Sequence, residues 1–359
     1  MNAKPLIHPG EYIRDEIDER GWTQLDLAEI TGRPLKTINQ IVLGNSSISP
    51  RTAREIASAF GTSPELWMNL QAQFDLAKEA HVSDSIAEKA ELFDRFPVRE
   101  IKNRGWIDSW DDVAELNSSL CQFWESDSLE NIELAFSARK TNQEEAFNMA
   151  QMMWVQRAIR ISKACVTDSF SKKKIQKYLG DLHALTEAPS ETRKVATVLA
   201  KMGIRFEVVK HLKKTKIDGA AIWIDSKTPL IALSLRYDRI DNFWHTLMHE
   251  LAHIFYKDKT VVDVEMEKSP DVDSENRANA TSSNWLIPEE LIESFARRMG
   301  NRISKSSVVQ FSNLHNIHPG IVVGQLHHRK KLDFKKLRRF LESTRQIVVE
   351  HSISDGWDF

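Results

Sequence analysis

The stretch FWHTLMHELAHIFY, residues 243–256, carries His249 and His253 four positions apart, with Glu250 directly after the first histidine. On an α-helix of 3.6 residues per turn, positions i and i+4 share a face, so both imidazoles can reach one Zn²⁺ ion at about 2.0–2.1 Å. Glu250 is then placed to take a proton from a water whose pKa the zinc lowers to about 7. Apolar residues also repeat here with a helical period, so a buried helix with two histidines and no metal is the alternative.

A third ligand for this site is available in residues 271–291, which predict a second helix. We expect this helix to enter at Asp273 with Ser274 as its N-cap, which places Glu275 in the first turn. A loop and a returning helix can bring that carboxylate back over the histidines, and Asp273 and Asp271 are the alternative ligands. Two histidines, one glutamate and an open fourth position form the zinc arrangement found at catalytic sites. The sequence therefore predicts a Zn²⁺ site with Glu275 as its third ligand.

Three short stretches before the motif are rich in β-branched and apolar residues that alternate, as strands of a half-buried sheet do. They are residues 204–209, 219–224 and 229–235, and an amphipathic helical pattern ended by Gly203 precedes them. We therefore predict an α+β domain with a small sheet over residues 191–359.

This segment resembles the ImmA/IrrE family of metallopeptidases over roughly residues 190–330. The resemblance rests on Gly203 and Gly219 with the strands that follow them, and on the stretches PLIALSL, FWHTLMHELAHIF and ENRANATSSNWLIP. It implies a zincin-like fold, with the two histidines and Glu275 as zinc ligands and Glu250 as the general base.

The remainder of this segment holds three further features. The family usually has an aromatic–alanine pair where Thr281-Ser282 stand here, so the packing behind the third ligand is expected to differ. In HNIHPGIVVGQLHHRK, His318 is a candidate for polarising a scissile carbonyl, and a plain loop followed by a helix is the alternative. The basic stretch RKKLDFKKLRRFL, residues 329–341, predicts a solvated amphipathic helix, with DNA-backbone contact as the alternative.

At the other end of the chain, residues 9–70 show five short helical patterns separated by turns. Thr23 caps the second pattern, and Gly32 forms a tight break before the third, residues 34–42. A glycine turn between the second and third helices is the layout of a helix-turn-helix, so residues 34–42 are predicted to be the recognition helix. Ile30 and Leu35 are expected to be buried with the other apolar residues of these two helices.

Several polar side chains of this region are of the types that bind base edges and phosphates. Those expected to face outward are Gln24 of the second helix and Lys36, Thr37, Asn39 and Gln40 of the third. From Arg33 to Arg54 four residues are basic and none is acidic, which adds Arg33 to the set. We predict that these residues contact double-stranded DNA, and a helical bundle that binds only protein is the alternative.

Residues 8–72 resemble the HigA/VapI branch of the XRE-like antitoxins, most specifically in TGRPLKTINQIVLG. The resemblance implies binding to operator DNA, usually as a homodimer. An antitoxin also implies a cognate toxin as a protein partner.

The 359 residues are too many for one ordinary core and predict a multidomain, mainly α chain. We place an all-α helix-turn-helix domain at 1–78, a helical connector at 79–190 and the peptidase-like domain at 191–359. The connector shows helical patterns around residues 98–104, 111–117, 129–137, 142–162 and 173–185, with Trp106, Trp110, Trp124 and Trp154 as expected core anchors.

Composition favours a reduced, cytoplasmic protein. The hydrophobic fraction is 41% and the charged fraction 28%, as in soluble globular proteins, and the net charge is −2. Cys121 and Cys165 are too few for a disulfide framework, and no apolar run is long enough to span a membrane.

Two functions from different classes follow from these patterns. In the first, a DNA-binding regulator hydrolyses a peptide bond in itself or in a partner repressor or toxin. In the second, a non-catalytic antitoxin or repressor uses the peptidase-like domain to bind a toxin or to sense a signal. A transcription factor that responds to a small ligand is a third possibility, and it needs a pocket that the sequence does not show.

Overall fold

The computed structural model describes residues 7–78, 80–132, 148–258, 261–264 and 272–357. The chain forms two compact units, Met1–Asp94 and Arg95–Phe359. No helix within the described ranges is long and apolar enough to cross a membrane. The sequence-based boundaries after residues 78 and 190 stay predictions.

The first unit consists of short helices, as the sequence predicts. They are α1 (Pro9–Glu19), α2 (Gln24–Thr31), α3 (Leu35–Val42), α4 (Pro50–Phe60) and α5 (Pro64–Lys78), followed by α6 (Ala80–Arg95). Thr23 caps α2 in a reciprocal capping box with Asp26, and Gly32 ends α2 in the left-handed region with φ 66°. The glycine turn between α2 and α3 is therefore formed, and α3 begins one residue after Pro34.

The apolar core of this unit is built from one face of each helix, and it includes Leu27, Ile38, Ile41 and Trp67. Burial was predicted for Ile30 and Leu35 as well, and this is wrong, because their exposed fractions are 52% and 44%. Both residues lie at the ends of eight-residue helices beside the turn, where helical spacing alone does not place a side chain in the core.

The second unit combines a five-stranded sheet with helices before and after it. Its helices before the sheet are α7 (Val98–Asn103), α8 (Val113–Trp124), α9 (Met149–Ser162), α10 (Lys172–Ala184) and α11 (Val195–Met202). Its strands are β1 (Arg205–Val209), β2 (Ile217–Asp225), β3 (Thr228–Leu233), β4 (Val261–Val264) and β5 (Ile353–Asp355). The other helices are α12 (Ile240–Tyr256), α13 (Val272–Leu286), α14 (Glu289–Met299), α15 (Lys305–His315), α16 (Pro319–His328) and α17 (Arg345–Glu350).

The strand order is β4-β2-β3-β1-β5, with β1 parallel to β3 and β5 and with β2 antiparallel to β3 and β4. The three predicted strands are confirmed, whereas β4 and β5 were not predicted. The mainly α, multidomain architecture with one small sheet is likewise confirmed.

Three of the predicted connector helices are present: α7 at 98–104, α8 at 111–117 and α10 at 173–185. Parts of the other two predicted helices, 129–137 and 142–162, lie outside the described residues. This region packs on the sheet. Trp154 Nε1 donates to Val209 O at 2.8 Å, and Trp106 Nε1 donates to Asp355 Oδ1 at 2.8 Å. Both indoles are buried, as expected for core anchors.

The helix predicted for residues 329–341 is wrong. The chain forms only a short 3₁₀ turn there, Arg338–Phe340. Arg329 Nη1 lies 3.2 Å from Glu289 Oε1, and Lys331 Nζ lies 3.0 Å from Glu293 Oε2. Part of the basic stretch is therefore paired with α14 instead of forming a free helical face.

Candidate metal centre

The helix α12 is buried along most of its length and brings the histidines into the interior of the unit. Trp244, Leu247 and Leu251 pack in its hydrophobic core. His249, Glu250 and His253 are 1%, 0% and 0% exposed. Burying three polar side chains costs free energy unless each finds a partner, so their surroundings are decisive.

His249, His253 and Glu275 lie together, with one ligand atom of each residue within 4.8 Å of the others. The two Nε2 atoms are 3.0 Å apart. Glu275 Oε2 is 3.3 Å from His249 Nε2, and Glu275 Oε1 is 3.5 Å from His253 Nε2. The three ligands predicted from the sequence therefore lie close together, and the Nε2 atoms of the two histidines face the Glu275 carboxylate.

The opposite ring nitrogens are held by side-chain oxygens. His249 Nδ1 is 3.0 Å from Asn279 Oδ1, and His253 Nδ1 is 2.9 Å from Asp258 Oδ2. An amide or carboxylate oxygen accepts a hydrogen bond, so Nδ1 carries the proton and the lone pair of Nε2 points into the cluster. This is the tautomer that binds a metal. Asp258 is fixed in turn by Arg277, whose Nη2 lies 2.5 Å away.

Burial is also the largest cause that lowers the pKa of His253, and the charge of His249 acts in the same direction. The neutral imidazole is the form that can bind a metal. The neighbouring His245 was not singled out from the sequence. Burial lowers its pKa to about 3, and its ring stacks on that of His249 with centroids 6.2 Å apart.

Glu275 is supplied by α13, which returns along α12. The helix begins at Val272, so the prediction of Ser274 as the N-cap is wrong, and Ser274 is instead a buried residue of the helix. Asp271 lies outside the described residues, and Asp273 does not belong to the cluster formed by the histidines and Glu275.

Of the two residues that depart from the family pattern, Thr281 contacts the neighbouring helix and Ser282 contacts its own helix. Thr281 Oγ1 is 3.1 Å from the hydroxyl of Tyr256 on α12. Ser282 is fully buried and donates to Asn279 O at 3.0 Å. Thr281 therefore links α13, which presents Glu275 and Asn279, to the end of α12.

Glu250 packs against the sheet beside the cluster. A Cβ atom added at Gly219 of β2 would lie 2.7 Å from Glu250 Oε1 and 2.9 Å from Thr246 Cγ2. Real Cβ atoms do not approach other atoms so closely, so the absence of a side chain at Gly219 makes room for this carboxylate. The start of α12 is fixed as well, since Ile240 N donates to Glu342 O at 2.8 Å.

His318 occupies a capping position. Its Nδ1 accepts a hydrogen bond from Gly320 N at 3.0 Å at the start of α16, and its Nε2 lies 3.3 Å from Glu342 Oε1. The first unit repeats this arrangement, where His8 Nδ1 accepts from Gly10 N at 2.9 Å. These contacts are those of a residue between a loop and a helix, which was the alternative to a catalytic role for His318.

The residues predicted to contact DNA lie on or beside α2 and α3. Asn39 Nδ2 donates to Gln24 Oε1 at 3.2 Å, so these two amides are adjacent on the surface. Lys36 is exposed, and Thr37 and Gln40 are half-buried. Arg33 differs, because its guanidinium pairs with Glu55, which also accepts from Arg51 Nε at 3.0 Å. These partners, Arg33 first, hold the pKa of Glu55 below its ordinary value.

Family models match two parts of the chain. The helix-turn-helix family model matches residues 13–67, and the model of the IrrE N-terminal-like domain, a peptidase family of the M78 type, matches residues 201–318. Residues 13–67 place the chain in the helix-turn-helix family, because the first relative described below is 33% identical and is covered over 80% of its own length. More particularly, it joins an XRE-type helix-turn-helix at its N-terminus to an IrrE/ImmA-like domain at its C-terminus.

Two curated relatives match the first unit. Virulence-associated protein I of Dichelobacter nodosus is 33% identical over 86 residues, which are 24% of this chain and 80% of the relative. An uncharacterized HTH-type transcriptional regulator of Haemophilus influenzae is 37% identical over 77 residues, 21% of this chain and 71% of the relative.

Solved structures match the same region. A HigA-family addiction module antidote protein from Coxiella burnetii is 33% identical, with a TM-score of 0.23. The match covers 24% of this chain and 95% of the antidote protein. The antitoxin HigA of Pseudomonas aeruginosa, solved with the higBA promoter, is 36% identical, with a TM-score of 0.22. The match covers 22% of this chain and 89% of HigA.

Proposed function

We propose that this chain is a transcriptional regulator that binds operator DNA through its first unit and hydrolyses a peptide bond with a zinc-dependent site in its second. The substrate is the chain itself, a partner repressor or a cognate toxin. The observation that carries the proposal is the convergence of His249, His253 and Glu275, with both histidines held in the metal-binding tautomer. We further infer a homodimer, because helix-turn-helix proteins commonly bind two half-sites as dimers. We also infer that the protein is cytoplasmic.

The residues present fit zinc. Two imidazole nitrogens and one carboxylate are the donor set of catalytic zinc sites, which keep a fourth position open. Asn279 and Asp258 supply the outer hydrogen bonds that orient such histidines. When bound, a zinc ion supplies Lewis-acid chemistry, polarising a carbonyl and making water acidic near neutral pH.

Glu250 is the residue that moves protons in this proposal. Its neighbours on α12 are the two ligands, and Gly219 of β2 lies against its carboxylate. In a buried site a carboxylate can accept a proton from the attacking water and return it to the leaving amine. His249 and His253 hold position without exchanging protons, because their Nδ1 protons are engaged by Asn279 and Asp258.

Adding a methyl group at Gly219 is expected to slow hydrolysis without removing the metal. In Gly219→Ala the new Cβ displaces the Glu250 carboxylate, and a misplacement of about 1 Å can lower a rate by about 100-fold. Rates and zinc content are measured together. Gly180→Ala is the control, since a Cβ there meets nothing within 4 Å. Unchanged hydrolysis in Gly219→Ala would show that this contact does not position the base.

Removing the charge of Lys36 is expected to weaken operator binding. Lys36 is exposed on the proposed recognition helix, whereas Arg33 is paired with Glu55. If Lys36 contacts a phosphate, Lys36→Gln reduces the slope of log K against log salt by about 1. Electrophoretic shifts with the chain's own promoter at several salt concentrations measure this slope, with Lys78→Gln on α5 as the matched control. Equal slopes for the two variants would contradict the assignment.

A further inference from the structure

A second concave site lies in the larger unit, in front of α10. Its cavity measures about 520 Å³ and is lined by the loop at residues 167–172, the first residue of β1, the turn between β2 and β3, and Lys257 after α12. Cavities that hold small ligands range from about 300 to 1,000 Å³. His249, His253 and Glu275 are not among the described lining residues, so this cavity is separate from the candidate metal centre.

The lining is strongly basic. It includes Lys172, Arg205, Lys227 and Lys257. Asp168 is the acidic residue among the described lining residues, and its carboxylate faces Lys174 Nζ at 3.2 Å. A cleft lined by charges of one sign concentrates ligands of the opposite sign. The charge of this cavity therefore favours an anion.

Arg205 is the least exposed of these four cations. Its Nη1 donates to Ser162 Oγ at 3.2 Å, and its Nε is buried without a hydrogen-bond partner among the described residues. Glu207 follows two positions later on the same face of β1, but burial raises the pKa of Glu207 to about 9. Burial therefore disfavours the charged form of this carboxyl, and its Oε2 is buried without a hydrogen-bond partner among the described residues. The carboxylate of Asp225 also interacts electrostatically with Arg205. Asp225 is exposed, and its Oδ1 accepts a hydrogen bond from Lys227 N at 2.7 Å.

Neutral donors stand beside these cations. Ser169 and Ser171 line the cavity, and Ser171 is the N-cap of α10. Hydroxyl groups, an arginine fork and the first amides of a helix are the groups that commonly bind phosphate. The wall itself depends on Gly203, because a Cβ there would lie 2.4 Å from the backbone of Phe170. The loop can therefore close against β1 only where position 203 has no side chain.

We propose that this cavity binds a small anionic ligand that carries a phosphate group. Arg205, Lys227 and Lys257 would hold the phosphate oxygens, whereas Lys172 Nζ lies over the ring of Phe255, 3.9 Å from its centroid. Phe170 at the wall would contact the remainder of the ligand. The site does not depend on the proposed peptidase activity or on a bound metal. It gives the second unit a means of responding to a metabolite, in a region that includes the loop before α10.

Equilibrium dialysis of the full chain against labelled inorganic phosphate, in chloride buffer of constant ionic strength, tests this proposal. We expect saturable binding with a Kd of about 1 mM or tighter. The variant Lys227→Gln/Lys257→Gln removes two exposed charges from the lining and is expected to weaken binding about ten-fold. The matched control Lys201→Gln/Lys335→Gln makes the same charge change at exposed positions away from the lining and should leave the Kd within about two-fold.

Arg205→Gln provides a second, independent test, since it removes the cation that the lysine variant leaves in place. It should also weaken phosphate binding about ten-fold, with the far-ultraviolet circular dichroism of the wild type. Absence of saturable phosphate binding by the wild type would overturn the proposal. Equal loss in the lining and control lysine variants would overturn it as well, because binding would then follow net charge alone.

Discussion

Replacing Glu250 with glutamine is expected to lower the rate of peptide hydrolysis by about 10²–10⁴-fold, the usual contribution of a general acid–base group. Glutamine has nearly the same shape and fits the space that Gly219 leaves, but its amide does not accept the proton. Zinc content should stay at the wild-type level, because the ligands and their partners Asn279 and Asp258 are unchanged.

The comparison uses wild type, Glu250→Gln and the exposed control Glu350→Gln, each co-expressed with the proteins encoded beside it. Mass spectrometry then identifies cleaved forms of the chain and of its partners. Fragments that form with wild type and with Glu350→Gln, and disappear with Glu250→Gln, support the peptidase. If wild type cleaves nothing and Glu250→Gln represses and neutralises a toxin equally well, the non-catalytic antitoxin is the correct interpretation.

Zinc is expected to stabilise the second unit strongly against unfolding. A ligand that binds only the folded state adds about 2.7 kcal/mol when its free concentration is 100 times its Kd. For a unit of this size, that corresponds to a rise in Tm of about 5–10 °C. His249→Ala should lose this rise, because it removes one of the three donor groups in the cluster.

Calorimetry of the metal-free full chain, with and without added zinc, measures the effect. The first unit serves as an internal control, since the described ligand cluster lies wholly within Arg95–Phe359. If zinc raises the Tm of the second unit equally in wild type and in His249→Ala, the ligand assignment is contradicted.

The part of the site that lies within one helix could be predicted from the sequence. Helical spacing alone puts His249 and His253 on one face. The pattern of α13 favoured Glu275 as the third ligand but left Asp273 and Asp271 as alternatives. Asn279 and Asp258 were missed as partners of the histidines, because their roles depend on how α13 and the end of α12 pack. For Asn279 a signal was present, since this residue falls in the ENRAN stretch that carries the family resemblance.

Long-range pairing explains the other differences. Strand β5 is only three residues long and pairs with β1, which lies far earlier in the chain, so local alternation could not reveal it. Arg33 was placed among the DNA contacts because the stretch from Arg33 to Arg54 contains no acid. Glu55 stands one residue beyond that stretch and pairs with Arg33 across the fold. The DNA contact of Arg33 stays a prediction. Local periodicity finds elements and their faces, whereas partners distant in sequence come from the tertiary structure.

The most direct test of this account is the metal content of the purified full chain. Elemental analysis after equilibration with zinc and removal of the excess should find about one zinc ion per chain in wild type. His249→Ala and Glu275→Gln should retain much less. A wild-type protein that holds no metal, or a His249→Ala variant that keeps a full equivalent, would contradict the proposal that His249, His253 and Glu275 form a zinc centre.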